Sequence, residues 1–216
     1  MSSEAVTEKL ENWFAHTPVV AILRGVSPQE VLAVGEALVN AEIGIIEIPL
    51  NSPEPYESIR LLNEALGDRC VIGAGTVVTL EQAEAVAEAG GTIAVSPNTN
   101  PAIIRRSIEL GMIPMPGWAT PTEAFEAYHA GARYLKLFPA VTYGPAHIKA
   151  SSAVIPGECK LLAVGGVGAD VAQSWLQAGV DGFGIGSELY KPGDSAEKVG
   201  AAAVKVVAAI RAAQGE

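Results

Sequence analysis

The feature that most constrains the fold is an alternation, repeated eight times, of short apolar runs with longer helix-patterned segments. The runs begin 21 to 27 residues apart, which fits one strand, one crossover helix and two short loops per repeat. Because the runs are almost continuously apolar, we predict parallel strands that are buried on both faces. In chain order the runs are Val19–Leu23, Gly44–Ile48, Val71–Gly75, Thr92–Ser96, Ile113–Gly117, Tyr134–Phe138, Lys160–Val164 and Phe183–Ile185.

The segments between the runs have Ala, Leu and Glu at helical spacing, and glycine follows many of their ends. Four of them begin with a capping residue followed by proline, at Ser27-Pro28, Ser52-Pro53, Asn100-Pro101 and Thr120-Pro121. The predicted crossover helices are Pro28–Asn40, Pro53–Leu66, Leu80–Ala89, Pro101–Leu110, Pro121–Ala130, Pro145–Ala153, Ala169–Ala178 and Ala196–Ala213.

Eight β/α units in 216 residues favour an α/β fold, a closed (β/α)₈ TIM barrel that forms a single domain over residues 1–216. A doubly wound open sheet is the alternative. An extra helix, Glu4–Phe14, is expected within residues 1–16, across the bottom of the barrel. In such a barrel the active site lies at the carboxyl ends of the strands, so the candidate residues are sought there.

Charge and cysteine content exclude several classes of function. With 24 acidic and 14 basic residues, the net charge of −10 repels phosphate backbones and anionic lipids, so neither nucleic acid nor membrane is an expected partner. There is no run of about 18 apolar residues and no secretory pattern over residues 1–9, which favours a soluble cytoplasmic protein. Cys70 and Cys159 have neither metal-ligand spacing nor the pattern of a disulfide framework.

Two charged residues stand inside predicted strands. Lys136 lies at the centre of the sixth run and Glu47 in the second, each between apolar neighbours. If Lys136 points inward, burial lowers the pKa of its amine, and a neutral amine is a nucleophile for ketones. An inward Glu47 could then shuttle protons. The alternatives are a lysine at a strand edge, or a buried ion pair with a structural role.

Metal chemistry is not predicted, because His16, His129 and His147 are scattered along the chain. Only His147 follows a strand end, and we expect it to be a solvated residue early in its helix. Glycines follow both of the last two strands, in Val164-Gly165-Gly166 and Gly184-Ile185-Gly186-Ser187, where barrels of this kind bind phosphate through backbone N–H groups. The alternative is that these glycines only permit tight turns.

These residues belong to a set of motifs that runs through nearly the whole chain. The motifs are Ala21-Ile22-Leu23-Arg24-Gly25, Glu47-Ile48-Pro49-Leu50-Asn51-Ser52-Pro53, Gly73-Ala74-Gly75-Thr76-Val77, Ser96-Pro97-Asn98, Pro116-Gly117, Leu135-Lys136-Leu137-Phe138-Pro139 and Val164-Gly165-Gly166. In this order they resemble the class I aldolases of 2-keto-3-deoxy-6-phosphogluconate (KDPG) and 2-keto-3-deoxy-6-phosphogalactonate (KDPGal).

The resemblance implies that Lys136 forms a Schiff base with the C2 ketone of a small phosphorylated keto acid, with Glu47 as general acid and base. It implies that Thr76, Pro97 and Phe138 shape a pyruvate pocket and that Gly165, Gly166, Gly186 and Ser187 hold the phosphate. No cofactor and no metal are implied, and family members are usually homotrimers. We assign Arg24 to the substrate's carboxylate or its phosphate, the alternative being a surface charge at the barrel rim.

Two positions separate the branches of the family. Where the gluconate branch carries Arg-Thr-Pro and a threonine before the paired glycines, this chain has Asn51-Ser52-Pro53 and Val164, which resembles the galactonate branch. We therefore expect Val164 to contact the substrate and the enzyme to cleave the galactonate epimer. The alternatives are the gluconate epimer, both epimers, a sugar-phosphate isomerase or epimerase, and a non-catalytic sugar-phosphate-binding barrel.

Overall fold

The computed structural model describes residues 3–215, in which strands and helices alternate along the chain. The strands within that range are β1 (Val19–Ile22), β2 (Ile45–Pro49), β3 (Val71–Gly75), β4 (Ile93–Val95), β5 (Ile113–Met115), β6 (Gly117–Trp118), β7 (Tyr134–Leu137), β8 (Lys160–Val164) and β9 (Gly182–Ile185). The helices of the same residues are α1 (Ser3–His16), α2 (Pro28–Asn40), α3 (Pro55–Leu66), α4 (Leu80–Glu88), α5 (Pro101–Glu109), α6 (Pro121–His129), α7 (Ala140–Tyr143), α8 (Pro145–Ser151), α9 (Ala172–Ala178) and α10 (Ala196–Gln214).

All strand pairs are parallel, and the strands follow one another around the sheet in the order β5-β4-β3-β2-β1-β9-β8-β7-β6. The two strands at the ends of this order, β5 and β6, are consecutive in the chain. The sheet therefore curls into a nearly closed barrel, and the predicted (β/α)₈ fold with an extra N-terminal helix is confirmed. The doubly wound alternative was wrong, because its strand order would reverse direction part-way.

The predicted fifth strand is broken in two at Pro116. Its first half, β5, pairs with β4, and its second half, β6, pairs with β7. Proline has no N–H to donate to a ladder, so the strand bends there instead of running straight between its neighbours. The carbonyl of Pro116 still accepts the N–H of Lys136 at 2.9 Å. This break is why the structure has nine strands where the sequence predicts eight.

The barrel has an apolar interior and a second apolar layer between the strands and the outer helices. Helix α1 covers the end where the strands begin. Leu10 is fully buried in the same cluster as Ile45 and Val71, the first residues of β2 and β3, and the ring of Phe14 stacks on that of Tyr134. Met1 and Ser2, which belong to the predicted N-terminal helix region, lie outside the described residues.

Three of the four predicted capping signals begin helices. Helices α2, α5 and α6 start at the expected prolines after Ser27, Asn100 and Thr120. The fourth prediction was wrong, because α3 begins at Pro55 and not at Pro53. The hydroxyl of Ser52 is engaged elsewhere, accepting the N–H of Gly25 at 2.9 Å.

Two local features were not predicted. The short helix α7 fills the turn after β7, before the helix that begins at Pro145. The predicted helix Ala169–Ala178 opens as a 3₁₀ turn over Ala169–Val171 before it becomes α9. Within residues 3–215, every helix is too short or too polar to cross a membrane.

Candidate active site

A cavity of about 800 Å³ opens at the carboxyl ends of the strands. Its walls come from the last residues of the strands and from the loops that follow them. All the residues that the sequence predicts for the site line this one cavity: Arg24, Glu47, Thr76, Pro97, Lys136, Phe138, Val164, Gly165, Gly166, Gly186 and Ser187. Their convergence is an observation, whereas the role of each remains a prediction.

Lys136 points into the barrel near the floor of this cavity. It lies on β7 opposite Gly117 and Leu162, and only 7% of it is exposed. Its Nζ lies 4.7 Å from the centroid of the Phe138 ring. Burial lowers the pKa of the amine to about 8, the carboxylate of Glu47 opposes this shift, and the charge of Arg24 adds to it. The strand-edge alternative for this lysine was therefore wrong.

Glu47 projects from β2 into the same cavity and is 3% exposed. Burial raises the pKa of its carboxyl to about 7, against the opposing charges of Lys136 and Arg24. Its Oε2 has no hydrogen-bond partner within residues 3–215. Among residues 3–215, no salt bridge with an N–O distance of 4 Å or less joins Glu47 to Lys136. The two groups therefore share one cavity without a direct structural salt bridge.

The neighbouring strand makes room for this carboxylate. A Cβ added at Gly75, on β3, would lie 1.9 Å from Oε2 of Glu47. Only a residue without a side chain lets Glu47 adopt this position. Sequence reasoning did not identify Gly75 as part of the site, although it lies two residues after Gly73 in a motif that was singled out.

The walls around the lysine are mostly apolar. Phe138 and Pro97 line the cavity, and Thr76 holds its backbone in the left-handed region at φ +61°. Such a conformation is uncommon for a residue other than glycine and occurs often at functional sites. Val164 is 5% exposed and lies against Gly184, where an added Cβ would come 2.7 Å from its Cγ2.

The two glycine loops lie side by side at the mouth. Gly165 and Gly166 have φ values of +95° and +72°, which favour glycine. Within the described part of the chain, the N–H groups of Gly166 and Ser187 donate to no acceptor. Free backbone donors at this edge of a barrel are suited to an anion such as phosphate.

Arg24 lies at the exposed rim and lines the cavity. Its Nη1 donates to Oδ1 of Asn51 at 2.6 Å, which was not predicted. The cavity also includes residues of the β9 loop beyond the inspected strand end, namely Tyr190, Lys191 and Pro192. They lie within the five residues that follow Ser187 in the sequence.

Asp170 and Glu188 line the mouth, and Oε2 of Glu188 accepts the N–H of Ala169 at 3.1 Å.

The expectation of a solvated His147 was wrong, because this residue is half-buried beside the rings of Trp118 and Tyr143. Among residues 3–215 there is no group of three His, Cys, Asp or Glu side chains that could hold a metal ion.

The sequence model of the family described as "KDPG and KHG aldolase" matches residues 10–205. The chain belongs to the KDPG and KHG aldolase family. This assignment confirms the resemblance found in the motifs. The matched range includes both Lys136 and Glu47.

The chain is similar to individual aldolases of this family in both sequence and structure. The chain is 45% identical over 201 residues to the 2-dehydro-3-deoxy-6-phosphogalactonate aldolase of Escherichia coli, covering 93% of this chain and 98% of the relative. It superposes with a TM-score of 0.90 on a native KDPGal structure, at 45% identity and coverage of 92% and 97%. A KDPG aldolase from Legionella pneumophila, described with pyruvate captured as a covalent carbinolamine, has a TM-score of 0.82 at 27% identity, with coverage of 92% and 98%.

Proposed function

We propose that the protein is a class I aldolase that cleaves 2-dehydro-3-deoxy-6-phosphogalactonate to pyruvate and D-glyceraldehyde 3-phosphate. The observation that carries the proposal is the buried amine of Lys136, which lines the same cavity as the carboxyl of Glu47. The 45% identity to a galactonate aldolase over almost the whole chain supports the choice of substrate.

The reaction begins with the amine of Lys136. Its neutral form adds to the C2 ketone to give a carbinolamine, as in the covalent intermediate described for the Legionella relative. The protonated carboxyl of Glu47 gives its proton to the departing hydroxyl, so water leaves and an iminium forms. The raised pKa of Glu47 and the lowered pKa of Lys136 let both groups be in the required protonation states near neutral pH.

Carbon–carbon cleavage follows because the iminium accepts electrons. The carboxylate of Glu47, directly or through a water, removes the proton from the C4 hydroxyl. The C3–C4 bond breaks, releasing glyceraldehyde 3-phosphate and leaving an enamine on Lys136. Glu47 returns the proton to C3, and addition of water to the imine then releases pyruvate and the free amine.

The rest of the cavity binds the substrate. We assign the phosphate to the two glycine loops, at Gly165, Gly166, Gly186 and Ser187, where the N–H groups of Gly166 and Ser187 are free to donate. Thr76, Pro97 and Phe138 surround the pyruvyl end near Lys136, and Arg24 attracts one of the two anionic groups. No resident metal or cofactor has a step in this scheme.

Assembly and location are part of the same proposal. The family resemblance is the basis for proposing a homotrimer. The basis for proposing a cytoplasmic location is that Cys70 and Cys159 are free, since disulfides are rare in the cytosol. Sedimentation of the purified protein would test the first, and fractionation of the source cells the second.

The experiment that tests the activity measures pyruvate release from purified galactonate and gluconate epimers. We expect turnover of the galactonate epimer with kcat/KM at least equal to that for the gluconate epimer. A protein that turns over neither epimer, or only the gluconate one, would overturn the proposed substrate.

A further inference from the structure

Asn51 contacts the cavity's only arginine without lining the cavity itself. Its Oδ1 accepts a hydrogen bond from Nη1 of Arg24 at 2.6 Å. Among the residues that line the cavity in the described part of the chain, Arg24 is the single arginine. Its hydrogen bond to Arg24 is therefore the contact that links Asn51 to the cavity lining.

The main chain beside Arg24 is fixed from two sides. On one side the hydroxyl of buried Ser52 accepts the N–H of Gly25 at 2.9 Å. On the other side Pro192 packs so closely that its Cγ would lie 2.7 Å from a Cβ added at Gly25, which has a φ of +83°. The backbone is thus held independently of Asn51, and the long Arg24 side chain is the part that Asn51 can orient.

The side-chain partner of Arg24 is neutral, whereas four other arginines pair with glutamates and Arg133 donates to backbone carbonyls. Salt bridges to glutamates hold Arg60, Arg69, Arg106 and Arg211. Arg24 is instead held by a neutral amide oxygen. A neutral acceptor fixes one N–H of the guanidinium, and the full positive charge and the remaining donors stay available for an anion.

We propose that Asn51 is a positioning residue that holds the guanidinium of Arg24 at the cavity mouth for an anionic group of the substrate. The inference rests on the proposed aldolase function. Positioning Arg24 in this way needs a hydrogen-bond acceptor at position 51 that is both correctly placed and uncharged. An acidic residue at this position would pair with Arg24 and weaken the hold of Arg24 on the ligand.

The test uses Asn51→Ala, Asn51→Asp, Arg24→Ala and the double variant Asn51→Ala/Arg24→Ala in galactonate-epimer cleavage. We expect Asn51→Ala to raise KM a few-fold and Asn51→Asp about tenfold, with kcat changed much less. In the Arg24→Ala background, Asn51→Ala should add no further effect. Asn12→Asp, the same change on an exposed face of α1, should behave as the wild type.

Binding of the two products identifies the anion. Pyruvate carries the carboxylate and glyceraldehyde 3-phosphate carries the phosphate. A weaker Kd in Asn51→Ala for either one, with no such change when Arg24 is already replaced by alanine, supports the positioning role. An unchanged KM in Asn51→Ala would overturn it, even if Asn51→Asp is impaired, because added charge alone would then explain the effect. An equal effect of Asn51→Ala with and without Arg24 would also overturn it. A wild-type protein without turnover would instead overturn the proposed function.

Discussion

Lys136 and Glu47 are ionisable residues in surroundings that disfavour their charged forms. Buried groups of this kind seldom stabilise a fold better than apolar side chains of the same size. The role that we propose for them is chemical, because burial brings the pKa of the amine and that of the carboxyl toward neutrality from opposite sides. The sequence already indicated these apolar surroundings, because both residues stand between apolar neighbours in predicted strands.

Glu47→Gln should lower turnover by about 10²–10⁴-fold, the usual contribution of a general acid and base. It should also move the pH midpoint of imine formation with pyruvate to lower pH. The carboxylate of Glu47 raises the pKa of Lys136, so its removal lets the amine lose its proton at a lower pH than in the wild type, where the pKa is about 8. Turnover and the pH dependence of borohydride trapping measure the two effects.

The control for this variant is Glu126→Gln, at an exposed position of α6. It should leave both turnover and the midpoint unchanged. A Glu47→Gln enzyme within a few-fold of the wild type would show that another group moves the protons. A midpoint that moves upward would contradict the electrostatic argument.

Val164→Thr should shift the kcat/KM ratio toward the gluconate epimer. Val164 lines the cavity, is nearly isosteric with threonine and offers no hydrogen bond to the C4 hydroxyl of either epimer. An added hydroxyl can favour one epimer, whereas an apolar wall discriminates weakly, by about 1–3 kcal/mol. The ratio is measured with both purified epimers and both proteins. If it does not move, Val164 does not set selectivity.

At the scale of secondary-structure elements, Gly75 on β3 leaves the space that the carboxylate of Glu47, on the neighbouring strand β2, occupies. Gly75→Ala would place a methyl group 1.9 Å from Oε2 and displace the carboxylate. We expect turnover to fall at least about tenfold, while pyruvate can still be trapped on the lysine, because a catalytic group moved by about 1 Å loses much of its effect. The matched control is Gly157→Ala, which meets no atom within 4 Å and should be active. Normal turnover in Gly75→Ala would show that the position of the carboxylate is not critical.

The sequence predicted the elements well where local signals act alone. Capping residues followed by proline located the starts of α2, α5 and α6, because cap chemistry is settled within one helical turn. The start at Ser52 failed because that hydroxyl bonds to Gly25, 27 positions earlier in the chain. Such a tertiary partner leaves no local trace, and the same is true of the Arg24–Asn51 bond.

At the scale of the whole molecule, the repeat of strand and helix was enough to predict the barrel and therefore the end that carries the site. Every predicted site residue lines one cavity, since inward strand positions and the following loops are fixed by topology. The break at Pro116 was visible as a proline within a strand, but its effect on pairing depends on both neighbouring strands. The space next to Gly75 depends likewise on side chains from another strand.

Chelators should leave the activity unchanged. Within residues 3–215 no cluster of ligand side chains could hold a metal ion, and the proposed steps use only Lys136 and Glu47. The measurement is the rate of galactonate-epimer cleavage after dialysis against EDTA. Loss of that activity and its recovery with zinc or manganese would contradict a purely Schiff-base mechanism.

Schiff-base formation on Lys136 is tested most directly by reduction with borohydride in the presence of pyruvate, followed by mass spectrometry of the intact chain and its peptides. We expect one reduced pyruvyl adduct per chain, located on Lys136, and none in Lys136→Met. The exposed Lys160 at the start of β8 serves as an internal control that should stay unmodified. An adduct on any other lysine, or no adduct on the wild-type protein, would show that Lys136 does not form the Schiff base.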